Sequence, residues 1–463
     1  MNARIKIKAA IWSLVFSLSW VVNVAGQTVF YVRSGNTSAG TGADWRDAFR
    51  DLPTSLVRGS TYYVADGDYS AHTFNDAASG TSVITIKKAT IGDHGTDIGW
   101  NDTYGDGQAT FAFQLRFLAP YYVLDGQIGN GGDSLAYGFK LLKPTDCSLA
   151  NQHYFQMGTG SEDVSNNTFA HIAIVACDQS YDAEKTAFHM QGKSSNNLTL
   201  KYIYLENFQT ALQSGGQSNV LIEHCWWTRH FSSSSHHGEW ISFMGAPTVP
   251  ETRCNNIVFR YNVITDSTGT GAIVANDNGN GALLALDGAD IYGNVFLNNM
   301  GGNGIITATT SSGMANVRVY NNTFSKSVAG RWFCPVQSNA ITARKDAATN
   351  NVALNNLVYS MSGALGDYGT NPIQHDYNAF YSCTLVPNEL HGQPAVGDPF
   401  LSSETLDFRL SAATSAGIAL PSPYDKTPNG ISRESSGWTR GALPLANANI
   451  LPSIPRNLIK VSQ

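Results

Sequence analysis

Between residues 186 and 359 the apolar positions recur in rows, not in helical stripes. LTLKYIYL begins at Leu198, VLIEHCWW at Val220, IVFRYNVI at Ile257, ADIYGNVF at Ala289, VRVYNNTF at Val317 and VALNNLVY at Val352. Each row carries an apolar pair, a polar turn and a second apolar pair. Before each row runs a further strand with period-two alternation: TAFHMQ from Thr186, TALQSG from Thr210, EWISFM from Glu239, GAIVAN from Gly271, NGIITA from Asn303 and NAITAR from Asn339. Phe188, Leu212, Ile241, Ile273, Ile305 and Ile341 make one apolar column on these strands, with His189, Gln213 and Ser242 on the opposite face. Row spacing runs from 22 residues (Leu198 to Val220) to 37 (Val220 to Ile257), so the repeat is a coil with loops of unequal length. The pattern predicts about three short strands per coil, stacked into three parallel sheets at about 4.8 Å per step.

Two columns run across the rows. Asn262, Asn294 and Asn322 share one turn position, with Cys225 at the same place one row earlier. Stacked amides there are expected to hydrogen-bond along the coil axis. Lys201, Glu223, Arg260 and Tyr292 form a second column on the second sheet, which reads as surface pairing worth a few tenths of a kcal/mol per pair.

Composition agrees with an all-β chain. Only 14% of the 463 residues are charged, 44 are glycine, and aromatics reach 11%, a poor recipe for helices and a good one for strands joined by turns. A net charge of −6 without a basic stripe argues against nucleic acid as a partner. Arg4, Lys6 and Lys8 followed by IWSLVFSLSWVV (11–22) and Val24-Ala25-Gly26 read as a signal peptide over 1–26. A secreted chain, periplasmic or extracellular, is expected, with no membrane association once the signal is removed. The remainder divides into an N-terminal cap and first coils (27–145), central coils carrying a groove (146–384), and a C-terminal cap and tail (385–463). A capped solenoid needs no partner, so a monomer is expected. Six cysteines, at 147, 177, 225, 254, 334 and 383, allow fifteen full pairings and lack any CxxC; the register puts Cys177 and Cys225 about two steps apart, too far to bridge.

This organisation resembles the right-handed parallel β-helix of the pectate-lyase-like superfamily over about residues 28 to 410. TVFYVRSGNTSAGTGADWRDAFRDLPTSL followed by GSTYYVADGDY is similar to the start of many secreted bacterial β-helix proteins. There a short amphipathic helix, here about Trp45 to Val57, closes the open end. Gly397 to Leu420 resembles the closing segment of the same proteins. The resemblance implies that the first strand of each coil and its entering loop carry substrate, although such scaffolds host unrelated activities.

On that sheet the loop RHFSSSSHHGEW (229–240) gathers ionisable residues that a plain turn does not need. His236, His237 and Glu239 suit proton transfer, a carboxylate orienting a ring, or metal binding. His189 faces outward on the neighbouring strand. Lys193-Ser194-Ser195-Asn196-Asn197 is similar to the KSSGN segment of β-helix alginate and chondroitin lyases, which implies Lys193 as the base that removes the proton α to a uronate carboxylate. Gln213 stands where those lyases carry an assisting arginine, and Arg229 is the cation expected to offset the carboxylate. Gln191, Gln213, Trp240, His230, Asn276 and Arg344 are the expected substrate contacts. Asp178, Asp182 and Glu184 form an acidic loop suited to calcium. The expected activity is β-elimination on an anionic, uronate-containing polysaccharide. The alternatives are a glycoside hydrolase, which needs two carboxylates about 5–9.5 Å apart, and a glycan-binding protein without catalysis.

Overall fold

A computed structural model of the chain describes residues 28–37, 40–190, 195–233, 238–244, 253–276, 283–299, 304–433 and 438–445. Lys193, Gln191, His236 and His237 lie outside these residues.

The strands wind as a parallel β-helix of three sheets. The first sheet stacks Thr73–Phe74, Leu115–Phe117, Gln152–Met157, Lys185–Met190, Thr210–Gly215, Glu239–Met244, Gly271–Asn276, Ile306–Ala308 and Phe333–Cys334, each parallel to the next. The second and third sheets follow in every coil and merge where Thr168–Val175 and Thr199–Glu206 bend and serve both. The bends are made by residues at positive φ, His171 (56°) and Tyr202 (52°) among them. One contiguous apolar core runs from Val32 to Phe380. Its axis is a ring stack, Phe74 on Phe117 (4.3 Å between centroids) and Phe155 on Phe188 (4.7 Å), continued by Leu212, Ile241 and Ile273 in register.

The last two members of the expected apolar column are different. Ile306 and Phe333 take those places, one residue after Ile305 and eight before Ile341. Ile341 instead precedes the helix Thr342–Ala347, the one α-helix among the described residues. TARKDA is rich in good helix formers, and nothing in its local pattern holds it to a strand.

The asparagine column extends further than three rows. Asn262, Asn294, Asn322, Asn356 and Asn378 pass one amide hydrogen bond to the next at 2.9–3.1 Å. Each also donates to a backbone carbonyl of the coil before it, as Asn294 does to Phe259 O. Replacing Asn294 by leucine keeps the branched shape but takes the hydrogen-bond partner from Phe259 O and Asn262 N. The expected loss is roughly 2–4 kcal/mol, read as a lower denaturant midpoint.

Glu389 closes this ladder. Its carboxylate accepts from Asn378 N (2.9 Å), Asn378 Nδ2 (2.7 Å) and His375 Nδ1 (3.0 Å). The hydrogen bond to Glu389 raises His375 above its ordinary value, so the folded state binds that proton more tightly than the unfolded chain. The stabilisation is full below about pH 6.5 and is lost as pH rises through the raised folded-state value. A melting temperature falling across that window, and flattened in His375→Gln, is the expected result.

The N-terminal cap forms without a helix. Trp45, Ala48, Leu52 and Leu56 are buried with helix-like spacing. However, Pro53 cannot donate within a helix, and Asp44 and Asp51 bond the nearby backbone N–H groups of Arg46, Asp47 and Leu52 instead. At the other end Phe400–Ser402 and Asp407–Leu410 form an antiparallel hairpin. The chain then returns along the outer wall, where Tyr424 packs edge-on against Tyr292 and Tyr320.

Lys201, Glu223, Arg260 and Tyr292 join as a column: Lys201–Glu223 at 3.1 Å, Arg260–Glu223 at 2.6 Å and Arg260–Tyr292 at 2.9 Å. Cys147 and Cys177 are disulfide-bonded, while Cys225, Cys254 and Cys334 are buried thiols and Cys383 is half-buried. Among the described residues no helix is long and apolar enough to cross a membrane.

Candidate active site

Strands of the first sheet do not alternate strictly. In five successive coils two consecutive residues face the core, namely Tyr154-Phe155, Ala187-Phe188, Ala211-Leu212, Trp240-Ile241 and Ala272-Ile273. The residues on either side of each pair therefore face outward. This produces two outer columns. His153, Thr186, Thr210, Glu239 and Gly271 share one register, and Arg116, Gln156, His189, Gln213, Ser242 and Val274 the other.

Where these columns meet the loop entering strand Lys185–Met190, four polar side chains converge. The rings of His153 and His189 lie 3.6 Å apart between centroids. Gln156 Oε1 is 3.1 Å from His153 Nδ1 and 3.4 Å from His189 Nδ1. Glu184 Oε1 accepts from Thr186 Oγ1 at 3.2 Å and stands 3.7 Å from His153 Nε2. The loop that delivers Glu184 begins at the Cys147–Cys177 bridge and is held by Lys185 Nζ on Tyr181 O.

The electrostatics differentiate the two rings. His189 is pushed down to about 4, first by burial and then by the neighbouring His153. Glu184 lies below its ordinary value because the His153 ring beside it favours its charged form. At neutral pH His189 is therefore a neutral imidazole, with an imidazole–carboxylate pair beside it. Such a group can take up a proton, and any charge it gains sits close to Glu184.

The other expected site residues are distributed as follows. Gln213 is on the same outer column one strand step from His189. Glu239 faces outward but two steps, about 10 Å, from the His189 strand. Trp240 is not a sugar platform: it is fully buried, 4.7 Å from His230 and 5.6 Å from Trp227. His230 is likewise a core residue, with Nε2 donating to Gln209 O (2.6 Å) and Nδ1 accepting from Ser267 Oγ (2.5 Å). Gly238 and Gly269 sit against its ring, where a Cβ would come within 3 Å of it. Arg229 pairs with Glu206 at 2.6 Å and so is taken up away from His189. Asn276, which accepts from Ser311 Oγ at 3.2 Å, lies three strand steps from His189. Arg344 is on the short helix, bonded to Thr310 O.

The acidic loop does not fit calcium. Asp178 is turned onto Ser180 N (2.9 Å), Asp182 is exposed, and Glu184 is committed to Thr186 and His153. Among the described residues no three His, Cys, Asp or Glu side chains are placed to hold a metal ion.

His153 and Gln156 are not among the residues expected from the sequence. The signal was one coil upstream of the series: Phe155-Gln156-Met157 repeats Phe188-His189-Met190.

No family model and no curated protein matches the sequence. Among solved structures, pectate lyase Pel9A superposes with a TM-score of 0.48 at 16% identity, over 92% of this chain and 98% of that one. The PL6 family polysaccharide lyase Pedsa3628 from Pseudopedobacter saltans gives 0.41 at 12%, over 81% and 89%. The GH136 lacto-N-biosidase from Eubacterium ramulus gives 0.38 at 10%, over 80% and 67%. At these identities the likeness is one of fold.

Proposed function

We propose that the protein is a secreted polysaccharide-degrading enzyme, a lyase that cleaves a uronate-containing glycan by β-elimination with His189 as its base. The observation that carries this reading is the neutral His189 ring packed against His153 and its Glu184 partner on the outer face of the first sheet. In the reaction His189 takes the proton at C5 of the uronate. The electrons of that C–H bond form the C4=C5 double bond, and the C4–O4 bond breaks. The leaving O4 oxygen regains a proton from the imidazolium. The free site depresses the basicity of His189. A uronate carboxylate bound beside the ring supplies the missing anion and raises it, so the base strengthens only when the right substrate is present.

A hydrolase would need two unengaged carboxylates across the bond. Glu184 is paired with His153 and Glu239 lies farther along the sheet, which favours elimination. Incubation with a panel of anionic polysaccharides separates the readings. Ultraviolet absorbance of an unsaturated product supports the lyase. New reducing ends without absorbance mark a hydrolase, and retention of polymer without cleavage a binding protein; either would overturn the proposal.

A further inference from the structure

Gln156 makes more contacts than a surface amide requires. Its Nε2 donates to the carbonyl oxygen of Gly158, a residue at a φ of 79°, at 2.7 Å. With the nitrogen end of the amide committed there, the oxygen end is the one that faces both imidazoles, 3.1 Å from His153 Nδ1 and 3.4 Å from His189 Nδ1. A carbonyl oxygen only accepts, so each ring must present an N–H to it.

We propose that Gln156 is a positioning residue that fixes both histidines with the proton on Nδ1, leaving the lone pair of His189 on Nε2 as the basic atom. Free histidine in water prefers the proton on Nε2, so the amide reverses the ring's own preference. The same contact assigns different parts to the two rings. His153 Nε2, 3.7 Å from Glu184 Oε1, gains a partner when it is protonated, and His153 then bonds through both nitrogens. His189 has the Gln156 amide on one side and the His153 ring beside it, so a second charge on it is opposed.

This inference deepens the lyase reading and rests on it for the role of His189, but its first test does not depend on activity. Ring nitrogens of the full-length protein labelled with ¹⁵N-histidine report the tautomer directly, with signals assigned by their loss in His153 and His189 variants. The expected wild-type result near neutral pH is a protonated Nδ1 and an unprotonated Nε2 on His189. In Q156L the proton moves to Nε2, whereas Q156E, which keeps an acceptor at that point, retains it on Nδ1. On a cleavable substrate, Q156L should lower kcat by about tenfold or more, with KM within about twofold. A wild-type His189 protonated on Nε2, or a Q156L spectrum unchanged from wild type, overturns the proposal. The expected tautomers in a protein that cleaves no glycan would leave this assignment standing and overturn the catalytic one.

Discussion

His189→Ala abolishes polysaccharide cleavage while leaving the melting temperature near that of the parent chain. The loss expected for removing a positioned base is about 10²- to 10⁴-fold in kcat. The side chain sits on the outer column and does not pack in the Phe155–Phe188 stack, so its removal leaves the apolar core intact. A second signature is the pH profile. His189 works as the neutral ring, and its free-state value is pushed down to about 4 by burial and by His153. The base form is thus present above that value and lost as pH falls through it. kcat/KM, which reports the free enzyme, should hold through the acid range and fall with an acidic limb near pH 4. A limb near the ordinary histidine value, or an active His189→Ala, would remove His189 from the mechanism.

His230→Ala, by contrast, should destabilise the fold severely. The ring is fully buried, and its loss strands Gln209 O and Ser267 Oγ and removes the face that stacks on Trp240. Two unsatisfied buried groups plus a cavity of ring size cost about 3–5 kcal/mol, measurable by urea or thermal denaturation. Burial also pushes His230 down to about 3. Because the folded value lies below the unfolded one, the unfolded chain takes up a proton first as pH falls. Stability contributed at neutral pH is therefore lost progressively between about 6.5 and about 3. A single proton gives a slope of about 1.4 kcal/mol per pH unit across that window. The difference in slope between the parent chain and His230→Ala isolates this residue from the other histidines. An unchanged slope would mean that the ring is hydrated and not sealed behind Gly238 and Gly269.

These two histidines show how far the sequence could be read. His189 was legible because it follows Phe188, an inward residue whose column is plain from Leu212, Ile241 and Ile273. His230 was not, because its loop composition, with four serines and several ionisable groups, looks like a solvent-facing site. Two close glycines and a neighbouring tryptophan bury it, and neither glycine's role is visible before the coils are stacked. His153 escaped for a different reason. Period-two counting from Phe155 puts it on the core side, but two consecutive inward residues, Tyr154 and Phe155, shift the alternation and turn it out. The same shift puts Trp240 in the core and Glu239 on the outer column.

The sequence by itself determined the winding. Apolar spacing set the coils, and asparagine at a repeated turn position set the ladder, because both are local patterns that each coil must satisfy against its neighbours. Tertiary structure alone decided which ionisable groups meet. The paired inward residues Tyr154 and Phe155, the bridged loop that carries Glu184 and the carbonyl of Gly158 together bring His153, Gln156 and His189 into one cluster. Contacts across coils depend on where the chain turns, and a turn that adds one inward residue reverses every side chain before it.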